Sequence, residues 1–396
     1  IVANMNPQVD AIAEIIIAEA AASDTLLFDR LLFFKGDGSN ADAPYALKIP
    51  SGMDFFPVPA PAVGDVNKDG IPELIVICND TRIRVYSNYT EDPDNPMTLW
   101  ITSSGFVDFS DQKPYLADFD HDGTPEVYAG NNIFKFDFSN PANPALNKVL
   151  GGAGFKAQCS YFEYVEGSAG PVAVNLLEPN ECLGDPDCDG LELAAGPVIY
   201  SVDINFDFDG YELEVRRNLN DLDPMNTYAD GYTAVADVNL DGVPELVVAS
   251  RRNSDEYGVY VWNKYGLVRF MPYPLKSRLS GSMPCIANVF DDRTAGFAKD
   301  FPEIIVACKS QLLCFNLQAA QLDPDNPYWW VLDIVDLSSF TSCTAFDLNG
   351  DGIQELIYRD EAFLRILYGG ALPFPAGVDA ERHWARLPCG SVTSDA

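Results

Sequence analysis

Asp65, Asn67, Asp69 and Glu73 put oxygen side chains at positions one, three, five and nine of a tight turn, with Gly70 at position six. That is the donor set a hard cation needs. Calcium takes roughly six to eight oxygens, and glycine permits the sharp bend that brings alternate side chains to one centre. The pattern recurs at Asp118, Asp120, Asp122 and Glu126, at Asp237, Asn239, Asp241 and Glu245, and at Asp347, Asn349, Asp351 and Glu355. The seventh-position residues Ile71, Thr124, Val243 and Ile353 are counted with each ligand set. One Asp-Asn-Gly cluster marks only a turn. Copies that all carry Glu at the same offset, just ahead of an apolar run, select metal over turn. An EF-hand is excluded, because its Glu comes later in the loop and its flanks are helical.

Three further copies are weaker. Asp185, Asp187 and Asp189 keep the first three ligands, but Glu192 comes one residue early. Asn4, Asn6, Asp10 and Glu14 contain an insertion, and a longer one separates Asn288 from Asp300 and Glu303. The last two loops are expected to be metal-free and held by hydrogen bonds, which leaves about four to five calcium ions. With a Kd near 0.1 mM and about 1 mM calcium, each site adds about 1.4 kcal/mol. Four or five sites then contribute roughly 6–7 kcal/mol, comparable to the whole stability of a typical domain.

Such loops must be held by strands. Each is followed by a short β-branched run that starts at its own Glu, as in Glu73-Leu-Ile-Val-Ile77 and Glu303-Ile-Ile-Val306. A second strand alternates more clearly (Tyr257–Trp262), and a third is rich in aromatics (Tyr328–Val331). A fourth, small and apolar, runs into the next loop (Ala234–Ala236). Four strands per unit predict an all-β chain, a seven-bladed β-propeller of four-stranded antiparallel blades with calcium loops between the first two strands. The blades fall roughly at 1–50, 51–104, 105–151, 152–219, 220–274, 275–335 and 336–396, as a single domain. Residues 389–396 read as a strand that closes the ring or begins an eighth blade. The helical pattern over Ala11–Ala22 yields to the repeat, which makes Ile15–Ala18 a strand followed by a loop.

The run Ala236-Asp-Val-Asn-Leu-Asp-Gly-Val-Pro-Glu-Leu-Val-Val248 and its sisters resemble the FG-GAP/VCBS repeats of integrin-α-type propellers, over essentially the whole chain. The resemblance implies calcium in the hairpin loops and an extracellular or cell-surface, secreted setting. In integrins the ninth position is usually Asp; the Glu here is closer to bacterial versions and still reaches as a bidentate ligand.

Bulk composition sets limits. Among 396 residues, 59 acidic against 25 basic side chains give a net charge of −34, which argues against nucleic acid or an anionic membrane as partner. No apolar run is long enough to span a bilayer. The start at Ile1 reads as a mature form or a piece of a longer protein. Among nine cysteines, Cys182 and Cys188 could close a small ring and Cys308 and Cys314 could pair across a hairpin. Cys285, Cys343 and Cys389 share one place in the repeat and are expected as buried free thiols.

Catalytic signals are scarce. Only His121 and His383 are present, with no hydrolase triad, zinc, Walker or dinucleotide motif. The chain is therefore expected not to be an enzyme. His121 fills a non-ligand slot of its loop and is expected to be exposed. Against the acidic background, basic residues gather between Arg216 and Arg278. Arg251 and Arg252 are expected in the loop after a blade's second strand, and Lys276 and Arg278 in a blade-to-blade connection, with Tyr228, Tyr232 and Tyr257 nearby. Both places lie on the face opposite the calcium loops, where integrins bind ligand. The expectation is a calcium-stabilised extracellular binding or adhesion propeller that recognises a protein or glycan on that face. The alternatives are a structural domain of a surface filament or giant surface protein, partnered by other domains or subunits, and a polysaccharide lyase-like enzyme.

Overall fold

The structure is a computed structural model that describes residues 2–5, 7, 14–21, 24–35, 39–40, 42–48, 61–107, 113–150, 170–177, 190–205, 210–274, 281–290, 299–308, 310–324, 327–335, 341–346, 352–359, 363–367 and 384–388. The chain divides into two compact units. One comprises Ile1–Gly167, Leu177–Glu192 and Ser201–Glu214; the other comprises Ser168–Leu176, Leu193–Tyr200 and Val215–Ala396.

The described strands form seven four-stranded sheets, each from strands consecutive in sequence. Sheet one holds β1 (Val2–Ala3), β2 (Glu14–Ala21), β3 (Asp24–Lys35) and β4 (Tyr45–Lys48). Sheet two holds β5 (Ala62–Gly64), β6 (Glu73–Ile77), β7 (Ile83–Ser87) and β8 (Thr98–Thr102). Sheet three holds β9 (Tyr115–Ala117), β10 (Glu126–Ala129), β11 (Asn132–Asp137) and β12 (Ala145–Leu150). Sheet four holds β13 (Val172–Val174), β14 (Glu192–Ala195), β15 (Val198–Asn205) and β16 (Gly210–Asn218). Sheet five holds β17 (Tyr232–Ala236), β18 (Glu245–Arg252), β19 (Glu256–Asn263) and β20 (Gly266–Pro272). Sheet six holds β21 (Cys285–Ala287), β22 (Glu303–Cys308), β23 (Gln311–Phe315) and β24 (Tyr328–Asp333). Sheet seven holds β25 (Thr344–Phe346), β26 (Glu355–Arg359), β27 (Phe363–Leu367) and β28 (Trp384–Pro388).

Burial explains the continuous apolar runs. Every residue of β6 and of β22 is buried, because successive side chains face opposite sides and both sides are covered. Leu74 and Val76 join Leu31 and Phe33 of sheet one, while Ile75 and Ile77 join Val127 and Phe134 of sheet three. In the second unit, Ile304 and Val306 pack with Val247 and Val261, and Ile305 packs with Leu356 and Tyr358. Within each unit, first strands also lie beside first strands, β5 next to β9 and β17 next to β21. A truncation such as Ile304→Ala empties volume in such a core and costs about 2–5 kcal/mol.

Several local expectations change. β2 runs Glu14–Ala21 in place of Ile15–Ala18 plus a loop, because β3 pairs with it along that length through two irregularities near Ala20. Two short helices, α1 (Leu219–Leu222) and α2 (Leu317–Leu322), were not anticipated; Asn218 and Asn316 cap them by accepting from the N–H groups of Asn220 and Gln318. Cys308 and Cys314 do not pair with each other across the hairpin, since Cys308 stands across from Gln311 and Cys314 across from Ile305. Cys285 and Cys343 are free thiols, as expected; Cys182, Cys188, Cys389 and the rest of 389–396 lie outside the described residues.

Candidate metal centre

Three acidic loops connect a first strand to a second: 65–72 between β5 and β6, 118–125 between β9 and β10, and 237–244 between β17 and β18. They share one backbone path. Position four is left-handed in each, at Lys68, His121 and Leu240, and position six is a left-handed glycine with φ of 83° at Gly70, 81° at Gly123 and 90° at Gly242. Gly352 of the 347–355 loop shares that conformation at 88°.

The acidic side chains hold this path from within. Asp65 Oδ2 accepts from Gly70 N–H at 2.8 Å, Asp118 Oδ2 from Gly123 at 2.9 Å and Asp237 Oδ2 from Gly242 at 2.9 Å. Position three accepts from the N–H of position five, as Asn67 does from Asp69 at 2.9 Å and Asn239 from Asp241 at 2.8 Å. Position five accepts from position seven, whose residues are Ile71, Thr124 and Val243. The side-chain oxygens are thereby drawn to one side of the turn.

Glu at position nine closes the loop. Glu73 Oε2 accepts from Val66 N–H at 3.0 Å, Glu126 from Phe119 at 2.9 Å and Glu245 from Val238 at 3.1 Å. The same latch appears in the three weaker copies: Glu14 accepts from Met5, Glu192 from Leu177 and Glu303 from Val289. Glu14, Glu73, Glu126, Glu192, Glu245, Glu303 and Glu355 are all buried. Burial pushes Glu73 up to about 7 against the Val66 hydrogen bond, with the Asp69 and Asp65 charges adding to the rise. Glu245 is likewise pushed up to about 7, chiefly by burial, although the Asn263 amide opposes it. Ionised, these loops hold negative charge that a divalent cation would relieve.

Loop 118–126 gives the strictest test of fit. Carboxylate oxygens of Asp118, Asp120 and Glu126 all lie within 4.8 Å of one another. Oxygens bound to one calcium at about 2.4 Å fall within such a span. Asp118 Oδ1 is buried without a hydrogen-bond partner. Hard oxygen donors and an orphaned carboxylate oxygen fit calcium, and in this loop Asp118, Asp120, Asp122 and Glu126 would hold it. Burial raises Asp122, but the Thr124 N–H and the Lys135 ammonium outweigh it and keep the carboxyl below its ordinary range.

The other predicted ligands are more scattered. Asp185, Asp187, Asp189, Asp347, Asn349 and Asp351 lie outside the described residues; Glu192, Ile353 and Glu355 are described. β13 ends at Val174, so Asn175 follows the first strand directly, in the place Asp65 takes after β5. In the loop entered after β21, Asn288 Nδ2 donates to Asp300 Oδ2 at 2.9 Å, and that hydrogen bond ties the loop's two ends together.

Sequence reasoning missed the partners that reach the loops from elsewhere. Asn263, ending β19, donates to Glu245 Oε1 at 3.2 Å, and Asn316 donates to Glu303 Oε1 at 3.0 Å. Lys135 on β11 bonds to Asp120. Lys68 Nζ donates to the Asp122 carbonyl at 3.2 Å, and Lys299 Nζ to the Leu240 carbonyl at 2.9 Å, so a lysine from another loop docks on each. The only signal was their position opposite a loop Glu or beside an insertion. His121 is exposed, as expected.

The basic cluster is rearranged. Arg251 and Arg252 are the last residues of β18, across from Tyr257 and Glu256, and not in a loop, because the ladder runs to the end of the hairpin. Arg252 pairs with Glu256 at 2.9 Å and lies 4.1 Å from the Phe270 ring centre. Tyr228 is 1% exposed and donates its hydroxyl to Asp223 at 2.6 Å, so its ring is core and not a contact surface. Tyr232 is half-buried in β17; Lys276 and Arg278 lie outside the described residues.

Comparison with known proteins agrees with the loops and the sheets. The FG-GAP-like repeat family matches residues 65–129, which contain the first two complete loops. No curated protein matches the chain by sequence. Among solved structures, the V. cholerae biofilm matrix protein Bap1 is similar with a TM-score of 0.57 and 13% identity, over 99% of this chain and 80% of that one. An Agrocybe aegerita lectin that recognises non-reducing terminal N-acetylglucosamine gives 0.46 at 12% identity, over 95% and 94% of the two chains. Chaetomium thermophilum Sqt1, bound to the N-terminus of ribosomal protein L10, gives 0.49 at 12% identity, over 94% and 85%. At such identities the likeness concerns fold alone. No helix among the described residues is long and apolar enough to cross a membrane. The sheets are β-propeller-like, and residues 65–129 are an FG-GAP-like repeat.

Proposed function

We propose that this chain is a calcium-stabilised, seven-bladed extracellular propeller that acts by binding or adhesion and not by catalysis. The observation that carries the metal half is the convergence of Asp118, Asp120 and Glu126 oxygens beside an unpartnered Asp118 Oδ1. Their hydrogen bonds commit the loop carboxylates to one turn geometry, which suits a structural ion better than acid–base work. Likeness of fold to a biofilm matrix protein supports the extracellular setting.

The binding half rests on the far end of sheet five. In an antiparallel sheet, the β18–β19 turn lies at the end opposite the β17–β18 loop. There Met225 is 88% and Leu222 45% exposed, and the Asn226–Asn253 hydrogen bond ties their segment to the β18–β19 turn, next to which half-buried Arg251 and Arg252 end β18. Exposed apolar side chains gathered at one end of a sheet suit contact with a protein or glycan. The test is a glycan and protein binding screen with calcium and with chelator, repeated with Met225→Asp and Arg251→Glu. Binding that needs calcium and weakens in both variants supports the reading. Binding indifferent to both variants removes this face from it.

A further inference from the structure

Loop 118–126 differs from its two sisters by one carboxylate, since Asp120 stands where they have Asn67 and Asn239. It also differs across the strand. In sheet five, one step beyond the Leu246–Trp262 pair, Asn263 faces Glu245; in sheet three, one step beyond Val127–Phe134, Lys135 faces Glu126. By the same step past Leu74–Tyr86, Ser87 faces Glu73. Lys135 Nζ bonds to Asp120 Oδ2 and lies 3.3 Å from Asp122 Oδ2. Four carboxylates less one ammonium equal the three carboxylates of each sister set. The lysine serves the third and fifth positions only, while Asp118 Oδ1 keeps no hydrogen-bond partner.

We propose that Lys135 is a built-in counter-ion, matched to the extra carboxylate of Asp120, that sets the calcium affinity of loop 118–126. This rests on the calcium reading of the loops. Asp120 attracts the ion and Lys135 repels it, so within the ligand set the one offsets the other. A unit charge a few ångströms from a divalent ion changes affinity by roughly tenfold or more, even with water-like screening.

The test is calcium titration by calorimetry into chelator-stripped, full chain: wild type, Lys135→Asn, Asp120→Asn and the double variant. Lys135→Asn is expected to tighten one site by about tenfold or more, and Asp120→Asn to weaken it comparably. The double variant should return to within about threefold of wild type, the mark of a coupled pair. Melting in chelator should move the opposite way for Lys135→Asn, because the carboxylates lose their cation. A merely structural lysine would not give a lower melt together with tighter binding. Lys135→Met, which keeps the aliphatic stem, repeats the measurement should Lys135→Asn fold poorly. Wild-type binding with every site unchanged or weakened by loss of Lys135 overturns the counter-ion role alone. Absence of calcium binding in wild type overturns the calcium reading itself, and this role with it.

Discussion

Glu245 Oε1 accepts a hydrogen bond from Asn263 Nδ2 at 3.2 Å while the same oxygen accepts from Asn239 Nδ2 at 2.7 Å. One buried carboxylate thus joins an acidic loop to the end of a strand in the next hairpin. Its other oxygen holds the Val238 N–H. Removing the carboxylate would orphan three donors at once.

Glu245→Ala should therefore destabilise the chain even without metal. Leaving buried donors unserved costs about 1–3 kcal/mol per group, softened where water enters. Glu245→Gln keeps an acceptor and should lose less. Urea melts in chelator measure both, and equal stability of the Ala variant and wild type would refute the latch.

Gly242 has a φ of 90° with open space around its would-be Cβ, so Gly242→Ala meets backbone strain and no clash. A loss of about 1 kcal/mol is expected from the left-handed conformation alone. A thermal melt of that variant, compared with Leu240→Gly at the other left-handed position, should show opposite signs.

Chelation should lower the melting temperature, and calcium should restore it better than magnesium, which demands tighter octahedral geometry. Differential scanning calorimetry with excess EDTA checks this. An unchanged melting temperature would sink the calcium sites.

In chelator, stability should fall as pH rises from about 4.5 to about 7. Glu73 and Glu245 keep their protons to about 7 in the fold, against an ordinary value of 4.5. In that window the folded chain binds more protons than the unfolded one, so rising pH favours unfolding. Glu73→Gln with Glu245→Gln should flatten the slope. With calcium the trend should reverse, because the ion competes with protons for the same oxygens.

Cys78, Cys285, Cys308, Cys314 and Cys343 should all alkylate after unfolding without reductant. Peptide mass spectrometry reads this directly. A Cys308–Cys314 crosslink would contradict the β22–β23 register.

The sequence by itself determined the turn of each loop, because the groups that bend it lie within one short segment. Asp65 reaches Gly70, Asn67 reaches Asp69, and Glu73 reaches back to Val66, so composition and spacing suffice. The strands after each Glu were legible for the same reason, as β-branched runs apolar on both faces. What only the tertiary structure decided depends on register between strands. Lys135 opposite Glu126, Asn263 opposite Glu245 and Asn316 opposite Glu303 are brought together by ladders whose rungs no local pattern reveals. Register also carries Arg251 and Arg252 to a strand end and separates Cys308 from Cys314, while α1 and α2 are too short to show any periodicity. Local geometry wrote the donor set of each loop. Pairing between strands chose which side chain balances its charge.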